Sequence, residues 1–251
     1  LYKIRPDTLF VGKHLIYLPS CDSTNLYAAQ LMSKEKVPEG SIIITQNQTS
    51  GKGQRGNRWE SSPGANLTFS VVLYPEFLYP GEQFYLNIVF SLALLDTLKS
   101  ISLEESKVKW PNDIYYDDLK LGGILIENAL KNRVIASSIV GIGLNVNQDF
   151  FNVRKAASLR MVTGRNYELN SILNNLLEKI EARLLQLKRG EQNKIKQEYR
   201  GSLYWLYERR TFKSDRTFEG KIMDVEESGK LVVDVNGSTR RFNTKEVVFV
   251  E

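Results

Sequence analysis

One cysteine, one histidine and no long hydrophobic run set the first limits on this 251-residue chain. With Cys21 alone, no intrachain disulfide can form and a four-thiolate zinc site lacks its ligands, so a reducing, cytoplasmic setting is the expectation. With His14 alone there is no HExxH metal site, and a Ser-His-Asp triad would depend on an imidazole in a strand-like run near the start. His14 is read as structural or solvated. The most continuous apolar stretch, residues 86–95, is interrupted by Asn87 and Ser91 and falls far short of the roughly 18–20 residues of a membrane span. No signal-peptide pattern opens the sequence, and no membrane partner is expected.

What is present is an ordinary globular composition, 42% apolar and 25% charged. The length suits one large domain, or a main domain with a smaller appendage. A pI of about 9.1 raises nucleic acid as a partner. The basic residues, however, are spread along the chain and mixed with acidic ones, whereas a binding face needs one-sided clustering.

Periodicity predicts a strand-like opening and then a helix from Ser23 or Thr24, with Ser23 as its N-cap. Residues 41–46 and 66–74 read as strands, and residues 81–100 as a central helix that is apolar on nearly all sides. Residues 107–110, 113–116, 120–127 and 134–146 follow as strands of a mostly antiparallel sheet, with Asp117-Asp118 as a hairpin turn. Leu173, Leu176, Leu177, Ile180, Leu184 and Leu187 mark a helix over 170–189 behind an Asn cap, and a second helix is expected from 192 to about 207. Beyond Arg210, runs at 211–213, 217–225, 231–235, 239–243 and 247–250, with turns at 227–229 and Asn236-Gly237, predict a small β-barrel that leans on the larger domain.

Three segments carry chemistry. Between Asn47 and Arg58 there is no large apolar side chain, and Gly51, Gly53 and Gly56 alternate with Lys52, Gln54 and Arg55. Glycines let backbone N–H groups approach an anion and the cations neutralise it, so either a phosphate-binding loop or a mobile basic surface loop fits. It is not a Walker loop, and its GxGxxG string opens no helix. In the second segment, residues 107–116, Pro111 belongs at a strand edge, which pushes Asn112 and Asp113 to a turn. Gly122-Gly123, after Lys120 in an otherwise apolar strand, indicates either the close approach of a ligand or a strand bulge. In the third, Gly141, Gly143 and Asn145 in GIGLNVN suggest a pocket wall.

These segments in this order, with Asp22-Ser-Thr-Asn25 ahead of them, resemble the biotin protein ligases. DSTN, GKGQRG followed by Trp59, KWPNDIY, KLGGIL and GIGLNVN carry the resemblance over residues 17–147. It implies an α+β fold, a mixed, mostly antiparallel sheet packed with helices (class II synthetase-like), plus a small C-terminal SH3-like β-barrel. The expected division is a catalytic domain at 1–208 and the barrel at 209–251. The implied reaction joins biotin to ATP as biotinyl-5′-AMP, then passes the biotinyl group to a lysine of a biotin carboxyl carrier protein, with Mg2+ as cofactor.

By match to the motifs, Ser23, Thr24, Asn25 and Gln48 would line the biotin site, with Gly122 and Gly123. Lys52, Gly53 and Gln54 would close over biotin and the phosphates, with Arg55 a further cation. Lys120 would supply positive charge near the carboxylate and α-phosphate. Asp113 would act near the adenylate, either on magnesium or on the incoming amine. Gly51, Asn112 and Asn145 are implied nucleotide contacts, and Trp59 is either an adenine lid or core.

The loop departs from the commonest family pattern in having Lys52 and Gln54 where arginines are usual, so one planar fork and one charge are lost. Tight retention of the adenylate is an expectation that Gln54 weakens. Only about twenty residues precede DSTN, so a ligase without DNA operator binding is expected, as monomer or homodimer. With no apolar anchor between 47 and 58, the loop is expected to order over its ligand. The alternatives are a lipoate or octanoate ligase of the same superfamily and a non-enzymatic nucleic-acid-binding protein.

Overall fold

In a computed structural model the described residues are 2 and 4–250, with the side chain of Arg55 outside the description. β1 (Leu15–Cys21) leads to α1 (Thr24–Met32), then β2 (Ile42–Gln48) and β3 (Leu67–Leu73). The central helix α2 (Phe84–Lys99) follows a short 3-10 turn at Pro80–Glu82. Next come β4 (Lys107–Lys109), β5 (Asp113–Tyr116), β6 (Leu119–Lys131) and β7 (Val134–Leu144), then α3 (Leu159–Thr163), α4 (Leu169–Lys188) and α5 (Gln192–Gly201). The last strands are β8 (Arg209–Lys213), β9 (Thr217–Val225), β10 (Leu231–Val235), β11 (Ser238–Phe242) and β12 (Val248–Phe249).

The first seven strands form one sheet in the order β1-β2-β3-β7-β6-β5-β4, antiparallel except for β1 with β2. The last five form a second, antiparallel sheet in the order β11-β10-β9-β8-β12. The α+β class read from the sequence therefore holds, as does the separate run of C-terminal strands. Asn236 and Gly237 both take positive φ, 53° and 82°, as the two-residue turn between β10 and β11 requires.

Alternation decides what each face of the large sheet does. Ile42 and Ile44 of β2, and Leu67, Phe69, Val71 and Leu73 of β3, point into the main core with α2. Helix α2 is buried on nearly every side because the sheet covers one flank while α4 and α5 cover another. On the opposite face, Ile43, Val72 and Ile139 meet Ala28 of α1. Helix α1 covers only the β2-β3-β7 part of that face, and the remainder toward β4 is open. That uncovered area is where the site lies.

Three local expectations differ from the structure. Ser23 is the N-cap of α1 by backbone conformation but makes no capping hydrogen bond with its side chain. The cap of α4 is Glu168, whose carboxylate accepts from the N–H groups of Asn170 and Ser171, rather than an asparagine. Negative charge at the helix N-terminus explains the preference. Helix α5 ends at Gly201, short of 207: Trp205 and Tyr207 both have φ of 62°, and Tyr204 N–H bonds to Val108 O at 2.9 Å, drawing the chain onto β4.

Glu181 of α4 tethers the N-terminal segment. Its buried carboxylate accepts the N–H groups of Leu9 (2.5 Å), Phe10 (2.8 Å) and Val11 (3.0 Å), fixing the segment ahead of β1 onto the helix. Glu181→Ala leaves the buried Val11 N–H and the part-buried N–H groups of Leu9 and Phe10 without their carboxylate, and a loss of about 2 kcal/mol is expected in urea unfolding. A change below about 0.5 kcal/mol would show that water replaces the carboxylate freely.

Candidate active site

The open face is floored by a row of directly opposed residues. It runs from Lys109 on β4 through Asp113 on β5, Gly123 on β6, Gly143 on β7 and Thr68 on β3 to Thr45 on β2. Opposed residues share a face, so the two central glycines leave a trough between charged groups on one side and hydroxyls on the other. The indole of Trp59 lies in it: a Cβ on Gly143 would come 2.3 Å from the ring, and one on Gly123 would come 3.5 Å from it. The indole Nε1 is buried without a hydrogen-bond partner among the described residues.

Lys120 reaches this face through a bulge. Three residues before Gly123, it would point into the core in a regular strand. The register shifts between Ile114 and Tyr115, so β6 carries an extra residue and Lys120 pairs with Tyr115 instead. Its Nζ then lies 2.7 Å from Asp113 Oδ1, both side chains about a quarter to a third exposed (30% and 26%). The main chain at Lys120 is held from beyond the sheet, its N–H on Lys155 O at 2.7 Å and its carbonyl accepting from Ala157 N–H at 3.0 Å. Gly122, one residue before Gly123 and opposite Ile114, faces the core by simple alternation, and a Cβ there would meet Gly143 O at 2.9 Å.

The other end of the trough is neutral and hydrogen-bonded. Gln48 Oε1 accepts Thr24 N–H at 2.9 Å and lies 3.3 Å from Thr24 Oγ1. Ser70 Oγ donates to Asn25 Oδ1 at 2.6 Å and lies 2.7 Å from Thr24 Oγ1. Asn25 Nδ2 donates to Glu127 Oε2 at 2.7 Å. Both ends of the Asn25 amide are thus taken by the protein, and it braces α1 over Gly141, where a Cβ would sit 2.5 Å from Asn25 Oδ1.

Residues 51–59 form a flap over the trough. Main-chain bonds close it: Lys52 bridges Arg58, Gly53 N–H donates to Asn57 O at 2.7 Å, and Trp59 N–H donates to Gly51 O at 2.9 Å. The expectation of a loop with no apolar anchor considered residues 47–58 only; Trp59, one position beyond, is in contact with the floor. Gly51 has a supporting place, since a Cβ there would meet Trp59 O at 2.6 Å and Gln48 Nε2 at 2.7 Å.

Together these groups enclose a cavity of about 240 Å³. Of the residues singled out in the sequence, Ser23, Thr24, Asn25, Gln48, Lys52, Gly53, Gln54, Trp59, Asn112, Asp113, Lys120 and Gly123 line it. Gly51, Gly122 and Asn145 stand outside the lining, and Arg55 lies outside the described side chains. Asn145 supports from behind, its Nδ2 on Ala157 O at 3.0 Å. Sequence reasoning missed Thr68, Arg58, Lys109 and the C-terminal Val247, Val248 and Phe249, which also line it. It also missed Ser70 and Glu127, which act from behind. A serine inside an apolar strand and a strand more than a hundred residues away give no local signal. His14 is not among the lining residues and faces Ser41, Nδ1 to Oγ 3.0 Å.

Residues 17–145 match the biotin/lipoate A/B protein ligase family, more than half of the chain. The chain belongs to this family. Among curated relatives, the bifunctional ligase/repressor BirA of Bacillus subtilis is 28% identical over 96% of this chain and 75% of its own length. The biotin–[acetyl-CoA-carboxylase] ligase of Mycobacterium tuberculosis is 29% identical over 84% of this chain and 79% of its own. Among solved structures, the biotin protein ligase of Aquifex aeolicus in complex with biotin and ATP superposes with a TM-score of 0.79 at 26% identity, covering 94% of this chain and 98% of that one. The family placement agrees with the resemblance carried by the motifs, and with the class II synthetase-like fold it implied.

Proposed function

We propose that this chain is an ATP-dependent biotin–protein ligase and that the cavity over Gly123 and Gly143 is where both of its half-reactions occur. The observation that carries this reading is the Lys120–Asp113 pair at 2.7 Å, set beside a trough whose far end is neutral and hydrogen-bonding. Biotin offers a neutral ureido head and an ionised carboxylate. The head fits Ser23, Thr24 and Gln48, whose polar groups replace the water it loses on burial. Its fused rings fit the glycine floor beside Trp59. The carboxylate then reaches Lys120.

A carboxylate oxygen attacks the α-phosphorus of ATP, forming the acyl phosphate bond. The α–β bridging P–O bond breaks, and pyrophosphate leaves with its electron pair. The nucleophile is already ionised at neutral pH, so no general base is needed, only placement and charge neutralisation. Lys120 and Lys52 supply the positive charge, with Arg55 assigned as a further cation from its place in the motif. Gly53 and Gln54 close the flap. In the second half-reaction a carrier lysine amine attacks the acyl carbon, the C–O bond to phosphate breaks, and AMP leaves with that pair. The amine must give up a proton, and Asp113 is the carboxylate beside the reacting carbon that can take it. Asn112 and Trp59 flank the nucleotide side.

Among the described residues, no three His, Cys, Asp or Glu side chains cluster to hold a metal ion. Asp113 is a single carboxylate already paired with Lys120. That donor set fits magnesium carried in by the triphosphate, with Asp113 as at most one protein ligand. The metal would add charge neutralisation on the phosphates.

An octanoyl or lipoyl tail has no groups to meet Thr24 and Gln48, which favours biotin within the family. No helix among the described residues is long and apolar enough to cross a membrane. The acceptor we assign is a biotin carboxyl carrier protein, the setting cytoplasmic on the strength of the single Cys21. Residues 1–208 would form the catalytic unit and 209–251 the accessory one. Incubation with biotin, ATP, magnesium and a carrier domain should add one biotinyl unit to a carrier lysine by mass spectrometry. Addition of lipoyl instead, or of nothing, would overturn the assignment.

A further inference from the structure

The row that floors the cavity ends on a cation that the reaction above leaves unused. Lys109 lies directly across the β4-β5 pair from Asp113 and lines the cavity. Its Nζ donates to the Tyr115 hydroxyl at 3.2 Å. The same ammonium stands over three rings, 4.7 Å from the centroid of Tyr115, 5.3 Å from that of Phe249 and 6.0 Å from that of Tyr204. Each ring comes from a different part of the chain: Tyr115 from β5, Tyr204 from the segment after α5, and Phe249 from β12 of the C-terminal sheet. Tyr204 stacks on Trp205, and Trp205 on Phe249, so the cage is itself packed rigidly. Rings around an ammonium fix its position through cation–π attraction and spare a bound anion the cost of ordering a long, flexible side chain.

The cavity has a direction. Neutral hydrogen-bonding groups occupy the α1 end, Lys120 and Asp113 the middle, and Lys109 with Phe249 the end at β4. A nucleotide whose α-phosphorus is at Lys120 has two more phosphates to place, and a preorganised cation one residue pair further along the row is suited to them. We propose that Lys109 contacts the β- and γ-phosphates of the nucleotide and holds the departing pyrophosphate. Phe249 and Tyr204 are positioning residues, through which the C-terminal sheet completes the active site. This rests on the adenylating reading of the cavity.

The test uses the full chain with Lys109→Met, which keeps the stem, and Lys109→Arg, which keeps the charge. Calorimetry compares ATP, AMP and biotin, and isotope exchange gives KM for ATP and pyrophosphate. Lys109→Met should weaken ATP and pyrophosphate by roughly tenfold to a hundredfold, the worth of one charge-assisted hydrogen bond. AMP and biotin affinities should stay within about twofold, and Lys109→Arg should recover most of the ATP affinity. Phe249→Leu should shift ATP in the same direction by less. Equal weakening of ATP and AMP, joint loss of biotin affinity, or unchanged ATP affinity would each overturn the proposal. Absence of biotin-dependent exchange in the unaltered protein would instead refute the ligase reading, and the direct ATP and AMP affinities would still decide the role of Lys109.

Discussion

Lys120→Ala should lower biotin-dependent ATP–pyrophosphate exchange by on the order of a thousandfold, while the variant remains folded. The ammonium lies where negative charge builds on the α-phosphorus, in a cavity that screens it less than bulk water does. No other described lysine is set by a bulge against a carboxylate on the cavity face. Loss of the pair should cost the fold little, because at 30% and 26% exposure it is a partly solvated ion pair worth about 1 kcal/mol or less. Lys120→Arg keeps charge but replaces a compact donor with a planar fork, so partial exchange is expected. Near-normal exchange from a folded Lys120→Ala protein would remove the residue from its assigned role. Asp113→Asn offers a contrast: it should retain more of the exchange reaction than Lys120→Ala and lose transfer to the carrier, because the proton acceptor is needed only in the second half-reaction.

Gly143→Val should abolish tight biotin binding, by on the order of a hundredfold in Kd, without unfolding the sheet. Valine is favoured in a strand, so the backbone tolerates it. What it does not tolerate is the space: the first added carbon would already lie 2.3 Å from the Trp59 ring. The indole is carried on the flap and can be pushed aside, which relieves the clash while spoiling the wall that faces biotin. Calorimetry with biotin reads the loss, and thermal unfolding within a few degrees of the unaltered protein separates it from misfolding. Retained affinity in Gly143→Val would mean that biotin does not use the glycine floor. Gly122→Ala provides a control of opposite kind, since that glycine faces the core and should reduce stability before it alters binding.

Much of this site was legible because it is encoded locally. The DSTN, GKGQRG, KWPND, KLGGIL and GIGLNVN segments each bring their own turn, flap or small-residue floor, and most of the residues picked from them line one cavity. What escaped was whatever depends on strand register or on distant parts of the chain. Lys120 and Gly122 are two residues apart and would share the core face in a regular strand; a bulge opposite Tyr115 sends Lys120 into the cavity and leaves Gly122 on the core. Ser70 looks like any small residue in an apolar strand until its hydroxyl is seen against Asn25 and Thr24. Phe249 is read as one more position in a short β run until β12 carries it to the β4 end of the floor.

The sequence alone settled the class of fold, the family and the kinds of group available to do the chemistry, because hydrophobic period, turn residues and motif spacing are short-range properties. The tertiary structure alone decided which of those groups face one another: side-chain direction alternates along each strand, so a single extra residue reverses it, and the last strand is brought beside β4 only by contacts between segments far apart in the chain.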